Sequence, residues 1–206
     1  MPIETIIAFT VASVVLAFAP GPDNIFVLTQ SAMNGPRAGV AVTFGLATGL
    51  VFHTLAVVLG LAALIQVSPV AFTVLKLVGA GYLLYLAWGA LRAKAEDIGG
   101  ENAHLGLAAY YRRGIIMNAT NPKVSIFFLA FLPQFVDPAL GGTTSQMLTL
   151  ALVFFIVTLI VFSSVAMAAG WLGAALKRSP KAQLVINRIA GLVFIGLAAR
   201  LLVTER

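Results

Sequence analysis

Ala19-Pro20-Gly21-Pro22-Asp23-Asn24 and Asn118-Ala119-Thr120-Asn121-Pro122-Lys123 decide the fold of this chain. Each stretch places a proline immediately before a charged residue, inside a span that is otherwise apolar. Proline removes a backbone donor and clashes with the preceding turn, which leaves carbonyls without helical partners. In lipid such groups are tolerated only when buried in protein or facing a watery cavity. An Asp or Lys at membrane depth adds about 2.5–3.5 kcal/mol on insertion scales. A chain that accepts both costs twice is expected to use them.

The surroundings of these stretches are those of a membrane protein. The 206 residues have a mean hydropathy of +1.01 and only 10% are charged, against about 25% in ordinary soluble domains. Six apolar segments run approximately Ile3–Ser31, Ala38–Ile65, Val70–Leu91, Gly114–Phe135, Met147–Leu176 and Leu184–Val203. They suit a bilayer, which a helix of about 20 residues crosses. The reading is all-α: a polytopic protein of six transmembrane helices, with helices 1 and 4 broken at proline. No polar stretch is long enough for a second domain, so residues 1–206 are expected to form one membrane domain. Ala17-Phe18-Ala19 imitates a signal-peptide cleavage site, but Glu4 precedes it without any Lys or Arg, so a retained helix is expected.

The formal charge of +6 reads as orientation signal rather than as a nucleic-acid surface. Arg37, then Arg92, Lys94, Arg112 and Arg113, then Lys177, Arg178 and Lys181 occupy the first, third and fifth connections. The second connection has no basic residue and the fourth has only Asp137 as a charge. Odd-numbered loops are therefore expected in the cytoplasm and both termini outside; Arg200 and Arg206 count against this at the C-terminus. A five-span alternative, with the first segment not fully crossing, would move the N-terminus inside. Cysteine is absent, which removes disulfides, thiolate metal sites and thiol redox chemistry.

The two broken segments correspond, and so do the third and sixth. Lys76-Leu77-Val78-Gly79 precedes a run ending at Arg92, as Arg188-Ile189-Ala190-Gly191 precedes one ending at Arg200. These matches divide the chain into repeat 1 (about 1–92), a cytoplasmic loop (about 93–113) and repeat 2 (about 114–206). An odd number of helices per repeat forces the second to enter from the opposite side. Inverted repeats with discontinuous helices in matching positions point to the binding site of a secondary transporter.

Candidate site residues cluster at the breaks. Lys123 lies ten residues after Arg113, about 15 Å by helical rise. Asp23 lies fourteen residues before Arg37, at most about 21 Å. The two can share a level, either as a binding pair or as a static salt bridge between broken helices. Pro20, Gly21, Pro22 and Pro122 shape the breaks; Asn24, Asn118 and Asn121 offer donors and acceptors beside them. His53 ends a Gly45-x-x-x-Gly49-x-x-x-His53 series on one helical face, where glycines allow close packing. It reads equally as a proton relay or as a core histidine bonded to a carbonyl, and the glycine face is also a candidate homodimer contact. Lys76 either binds a carboxylate or snorkels to the outer surface. Phosphate-binding glycine loops, HExxH and G-x-S-x-G are all missing, so no enzyme, cofactor or metal chemistry is expected.

The motifs together resemble the LysE/RhtB family of amino-acid exporters over essentially the whole chain. The resemblance is carried by Pro20-Gly21-Pro22-Asp23, by the Gly45, Gly49, His53 series, and by Lys76-x-x-Gly79-Ala80-x-Tyr82-Leu83-x-Tyr85-Leu86. Asn118-x-x-Asn121-Pro122-Lys123 with Phe127-Phe128 and Phe131-Leu132-Pro133-Gln134-Phe135 follows, and Asn187-Arg188-x-x-Gly191 closes the pattern. It implies efflux of amino acids or derivatives across a bacterial inner membrane, coupled to proton entry, with substrates ranging from basic amino acids to threonine, homoserine and leucine-like compounds. A zwitterion would then offer its carboxylate to Lys123 and its ammonium to Asp23. Two rivals stand beside this reading. A cation or metal exporter on the same plan would want several oxygen ligands, where the breaks offer one carboxylate; a noncatalytic membrane subunit would need a docking surface such as the Arg92–Arg113 loop.

Overall fold

The computed structural model describes residues 1–19, 21–61, 69–92 and 105–203, and no strand occurs among them. The helices are α1 (Ile3–Phe18), α2 (Pro22–Asn34), α3 (Pro36–Leu55), α4 (Pro69–Arg92), α5 (Leu107–Ala119), α6 (Pro122–Ile126), α7 (Thr143–Arg178) and α8 (Pro180–Val203). A π-helical turn, Ala56–Leu61, extends α3; a π turn (Phe127–Phe131) and a 3-10 turn (Leu132–Phe135) extend α6. Pro22, Pro36, Pro69, Pro122 and Pro180 each stand at the first position of a helix. There the missing N–H has no partner to lose and the fixed φ suits the first turn. The prolines therefore start helices rather than kink them.

Both expected breaks are present. α1 and α2 meet at 59°, and α5 meets the Pro122–Phe135 segment at 49°. α3 through Gly60, and α7 through Ala169, are each long and apolar enough to cross a membrane, and each bent pair adds one further candidate span. α4 and α8, of 24 residues each, pack on one another, with Gly191 against Leu91 and the Ala87 carbonyl. Two boundaries depart from expectation. Lys177, Arg178 and Lys181, read above as the fifth connection, lie within α7 and α8, with only Ser179 between them. Arg112 and Arg113, read above as loop residues, lie inside α5, which begins at Leu107 because buried Tyr110 anchors its first turn. Residues 93–104 of that loop, with Ser68 of the second connection, lie outside the described residues.

Burial runs opposite to that of a soluble protein. Val51, Phe52 and Leu59 on the α3 segment and Leu152, Ile160 and Met167 on α7 face outward, while Asp23, His53, Asn118, Asn121 and Lys123 face inward. Water would penalise such a surface and hydrocarbon does not. This is a multi-pass membrane protein.

The interior is built by close backbone approach. A Cβ at Gly45 would overlap the Tyr111 carbonyl oxygen, one at Gly114 the Val42 carbonyl oxygen, and one at Gly49 would lie 2.6 Å from the Asn118 Cβ. The Gly45/Gly49 face thus binds α5 within the chain. α5 covers the face read above as a candidate homodimer contact. Two apolar clusters complete the core. One gathers Phe9, Leu16, Phe127, Phe131 and Phe154, the other Ala17, Val27, Tyr110, Val157 and Phe162.

Gly45→Val and Gly114→Val are expected to lower thermal stability in detergent, since overpacking costs about 1–3 kcal/mol or more. Gly81→Ala and Gly89→Ala on α4, where added carbons meet nothing within 4 Å, should leave it unchanged or slightly higher. Equal melting of all four would show that the α3–α5 contact does not need bare backbone.

Candidate functional site

A broken helix exposes its last carbonyls, and both breaks resolve this by borrowing a side chain. At the end of α1, Lys123 Nζ donates to the Ala19 carbonyl (3.0 Å) and the Leu16 carbonyl (3.4 Å). Asn24 Nδ2 donates to the Ala17 carbonyl at 2.6 Å, and the Ala19 N–H to that of Val15. Lys123 itself sits in the first turn of α6, where the helix dipole disfavours a cation. Its stem carries the ammonium across to the C-terminus of α1, where the dipole favours it. Gly21 makes room, since a Cβ there would stand 3.0 Å from Nζ.

The second break is served in return by the first half of the chain. The Asn118 carbonyl, near the end of α5, lies 2.9 Å from His53 Nε2. A carbonyl only accepts, so this nitrogen carries the proton and donates. The Asn121 N–H donates to the same carbonyl, while the Asn121 side-chain oxygen caps α6 by accepting from the Lys123 N–H at 3.0 Å.

Asp23 stands in the first turn of α2, 3% exposed, where an anion suits the helix N-terminus. Asn118 Nδ2 donates weakly to its Oδ2 at 3.4 Å, and Asp23 Oδ1 has no hydrogen-bond partner. Asp23 and Lys123 line the same cavity without forming a direct ion pair. Lys123 spends two of its three donors on carbonyls. Opposite charges therefore share a buried site in which one Lys123 donor and Asp23 Oδ1 remain unused.

The cavity also takes in Leu16, Ala17, Asn118 and, from α7, Phe154, Thr158 and Phe162. Its volume of about 20 Å³ is room for one water and far too little for an amino acid. The cavity is narrow, and a larger solute reaches the charged pair only if the helices part. Of the sequence-derived candidates, the structure brings together Gly21, Asp23, Asn24, His53, Asn118, Asn121 and Lys123. Pro22 and Pro122 are exposed first residues of α2 and α6. Pro20 lies outside the described residues, as does the side chain of Lys76 on α4. The α7 wall went unmarked in the sequence, because no proline or charge interrupts that helix.

A multi-pass protein whose buried charges line a narrow cavity between two helix breaks has the build of a membrane transporter. The chain belongs to the LysE type translocator family, whose model matches residues 14–205. It is 32% identical over 197 residues to a Vibrio cholerae protein named "Uncharacterized membrane protein", covering 95% of each chain. It is 30% identical over 195 residues to the "Leucine efflux protein" of Salmonella typhimurium and of Salmonella typhi, covering 94% of this chain and 92% of those relatives. No solved structure matches the chain.

Lys123→Met is expected to destabilise the protein in detergent by about 3–5 kcal/mol, because it leaves the Asp23 carboxylate buried without a counter-charge. Asp23→Asn on that background should recover part of the loss. Melting that is additive across the two single variants and the double would show that the residues act independently.

Proposed function

We propose that the protein exports amino acids from the bacterial cytoplasm across the inner membrane, with leucine-like side chains as its preferred class, in exchange for protons. The observation that carries this reading is the cavity at the breaks, where Asp23 and Lys123 are both buried, unpaired with one another and each short of one partner. A zwitterion offers the complementary pair of charges. Its ammonium meets Asp23 Oδ1, and its carboxylate takes the remaining donor of Lys123. The name of the Salmonella relatives supports an amino acid as cargo and leucine as the first to test. The lining supports the same class, since Asp23 is its one carboxylate and a basic side chain would ask for a second.

The mechanism we infer is alternating access between two inverted three-helix repeats, α1–α4 and α5–α8, with the odd-numbered loops cytoplasmic. In support, each half supplies the side chain that closes the other half's break, Lys123 on α1 and His53 on α5. The cavity also falls between the two apolar clusters, its lining drawing on Leu16 and Phe154 from one and Ala17 and Phe162 from the other. Parting one cluster opens the site to one side, and parting the other opens it to the opposite side. A substrate carboxylate competes with the α1 carbonyls for Lys123, so binding loosens the cap that holds the bend. Protonation of Asp23, or of His53 behind Asn118, releases the ammonium and couples export to proton entry.

Counterflow in proteoliposomes with a radiolabelled amino-acid panel tests this. Leucine and close analogues should exchange and lysine should not. Asp23→Asn and Lys123→Gln should each reduce flux by at least about tenfold, the loss of one charged contact. A protonophore should abolish uphill movement while sparing counterflow. Unchanged transport in both variants would overturn the assignment of the pair, and uphill flux that survives the protonophore would overturn proton coupling.

A further inference from the structure

Thr158 differs from Ser13, Ser31, Thr43 and Thr54, hydroxyl side chains buried or half-buried in the other helices. Ser13, Ser31, Thr43 and Thr54 each turn back and donate to the carbonyl four residues earlier, at 2.6–2.9 Å. That bond is how a Ser or Thr is made harmless in an apolar helix. Thr158, only 2% exposed in the middle of α7, does not make it; its Oγ1 is buried with no hydrogen-bond partner. A buried hydroxyl without a partner costs about 1–3 kcal/mol on protein mutational scales. The same residue lines the cavity that holds Asp23 and Lys123. Phe154 and Phe162, also in the lining, stand four residues before and after it, one above and one below on the same helical face.

We infer that Thr158 is a substrate-contacting residue, its hydroxyl hydrogen-bonding the charged head group of the amino acid while Phe154 and Phe162 hold an apolar side chain. The assignment rests on the exporter reading above and adds a third wall to the site. The two breaks supply charge, and α7 supplies an uncharged hydroxyl between two aromatic rings. Thr158 has both a proton to give to a carboxylate and lone pairs to accept from an ammonium. It therefore serves either end of the head group without adding a charge of its own. The rings on either side favour a branched or aromatic apolar side chain and offer nothing to a polar one. Selectivity among uncharged amino acids is thereby placed on α7, away from the residues that recognise the head-group charges.

The experiment compares wild type, Thr158→Val and Thr158→Ser in proteoliposomes, with leucine or whichever panel member wild type exchanges best. Valine keeps the shape and removes the hydroxyl; serine keeps the hydroxyl. Thr158→Val is expected to raise KM by about tenfold or more, the scale of a hydrogen bond to a charged group. Its maximal rate should stay within about twofold, and Thr158→Ser should stay near wild type in both. A KM unchanged in Thr158→Val, or a loss of maximal rate at unchanged KM in both variants, overturns the contact and leaves Thr158 a packing residue. Melting in detergent separates misfolding from lost binding, since valine removes a buried unpaired hydroxyl and should not lower stability. Wild-type protein that exchanges no amino acid of the panel overturns the exporter reading, a result distinguishable from failure of Thr158 alone.

Discussion

Backbone carbonyls left open at two helix breaks, deep in an apolar chain, are the constraint on which the remainder of this structure depends. Side chains from elsewhere in the chain satisfy them. Lys123 and Asn24 close the end of α1, and His53 and the Asn121 N–H close the end of α5. Once Lys123 is drawn inward, a counter-charge is needed nearby, and Asp23 supplies it without a direct ion pair. The bare Gly21, and the Gly45, Gly49 and Gly114 contact that brings α3 onto α5, let these groups come within reach.

The same arrangement holds the fold and leaves it able to move. A cap made by a flexible lysine is strong enough to hold a bend and exchangeable for another anionic or carbonyl partner. A fully paired Asp23–Lys123 bridge would have locked the two breaks together and left a zwitterion nothing to bind. With one Lys123 donor and Asp23 Oδ1 unused, the pair supports the helix breaks and keeps spare hydrogen-bonding capacity. On the proposed reading, stability and transport are coupled through these two residues.

Much of the site was legible because charge and proline are rare in apolar spans and so conspicuous. Asp23, Lys123, Asn118 and Asn121 announce themselves by position beside Pro22 and Pro122. The glycine series was legible as a close contact, but the sequence carries no label for the surface that meets it, which within the chain is α5. Arg112 and Arg113 looked like loop residues because they are charged, whereas α5 starts ahead of them at Leu107. Thr158 and its flanking phenylalanines were silent, since a single threonine in an apolar helix ordinarily bonds its own backbone and is of no consequence.

By itself, the sequence determined that this chain lives in a bilayer and where two of its spans break. Those are local properties: hydrophobic length, proline inside an apolar span, and charge that is costly in hydrocarbon. Only the tertiary structure decided which carbonyl each side chain closes, that Asp23 and Lys123 share a cavity without bonding, and that α7 forms its third wall. Such facts depend on distances between residues about a hundred positions apart in the chain, as the separation of 104 between Lys123 and Ala19 illustrates. No pattern along the chain encodes them until the helices pack.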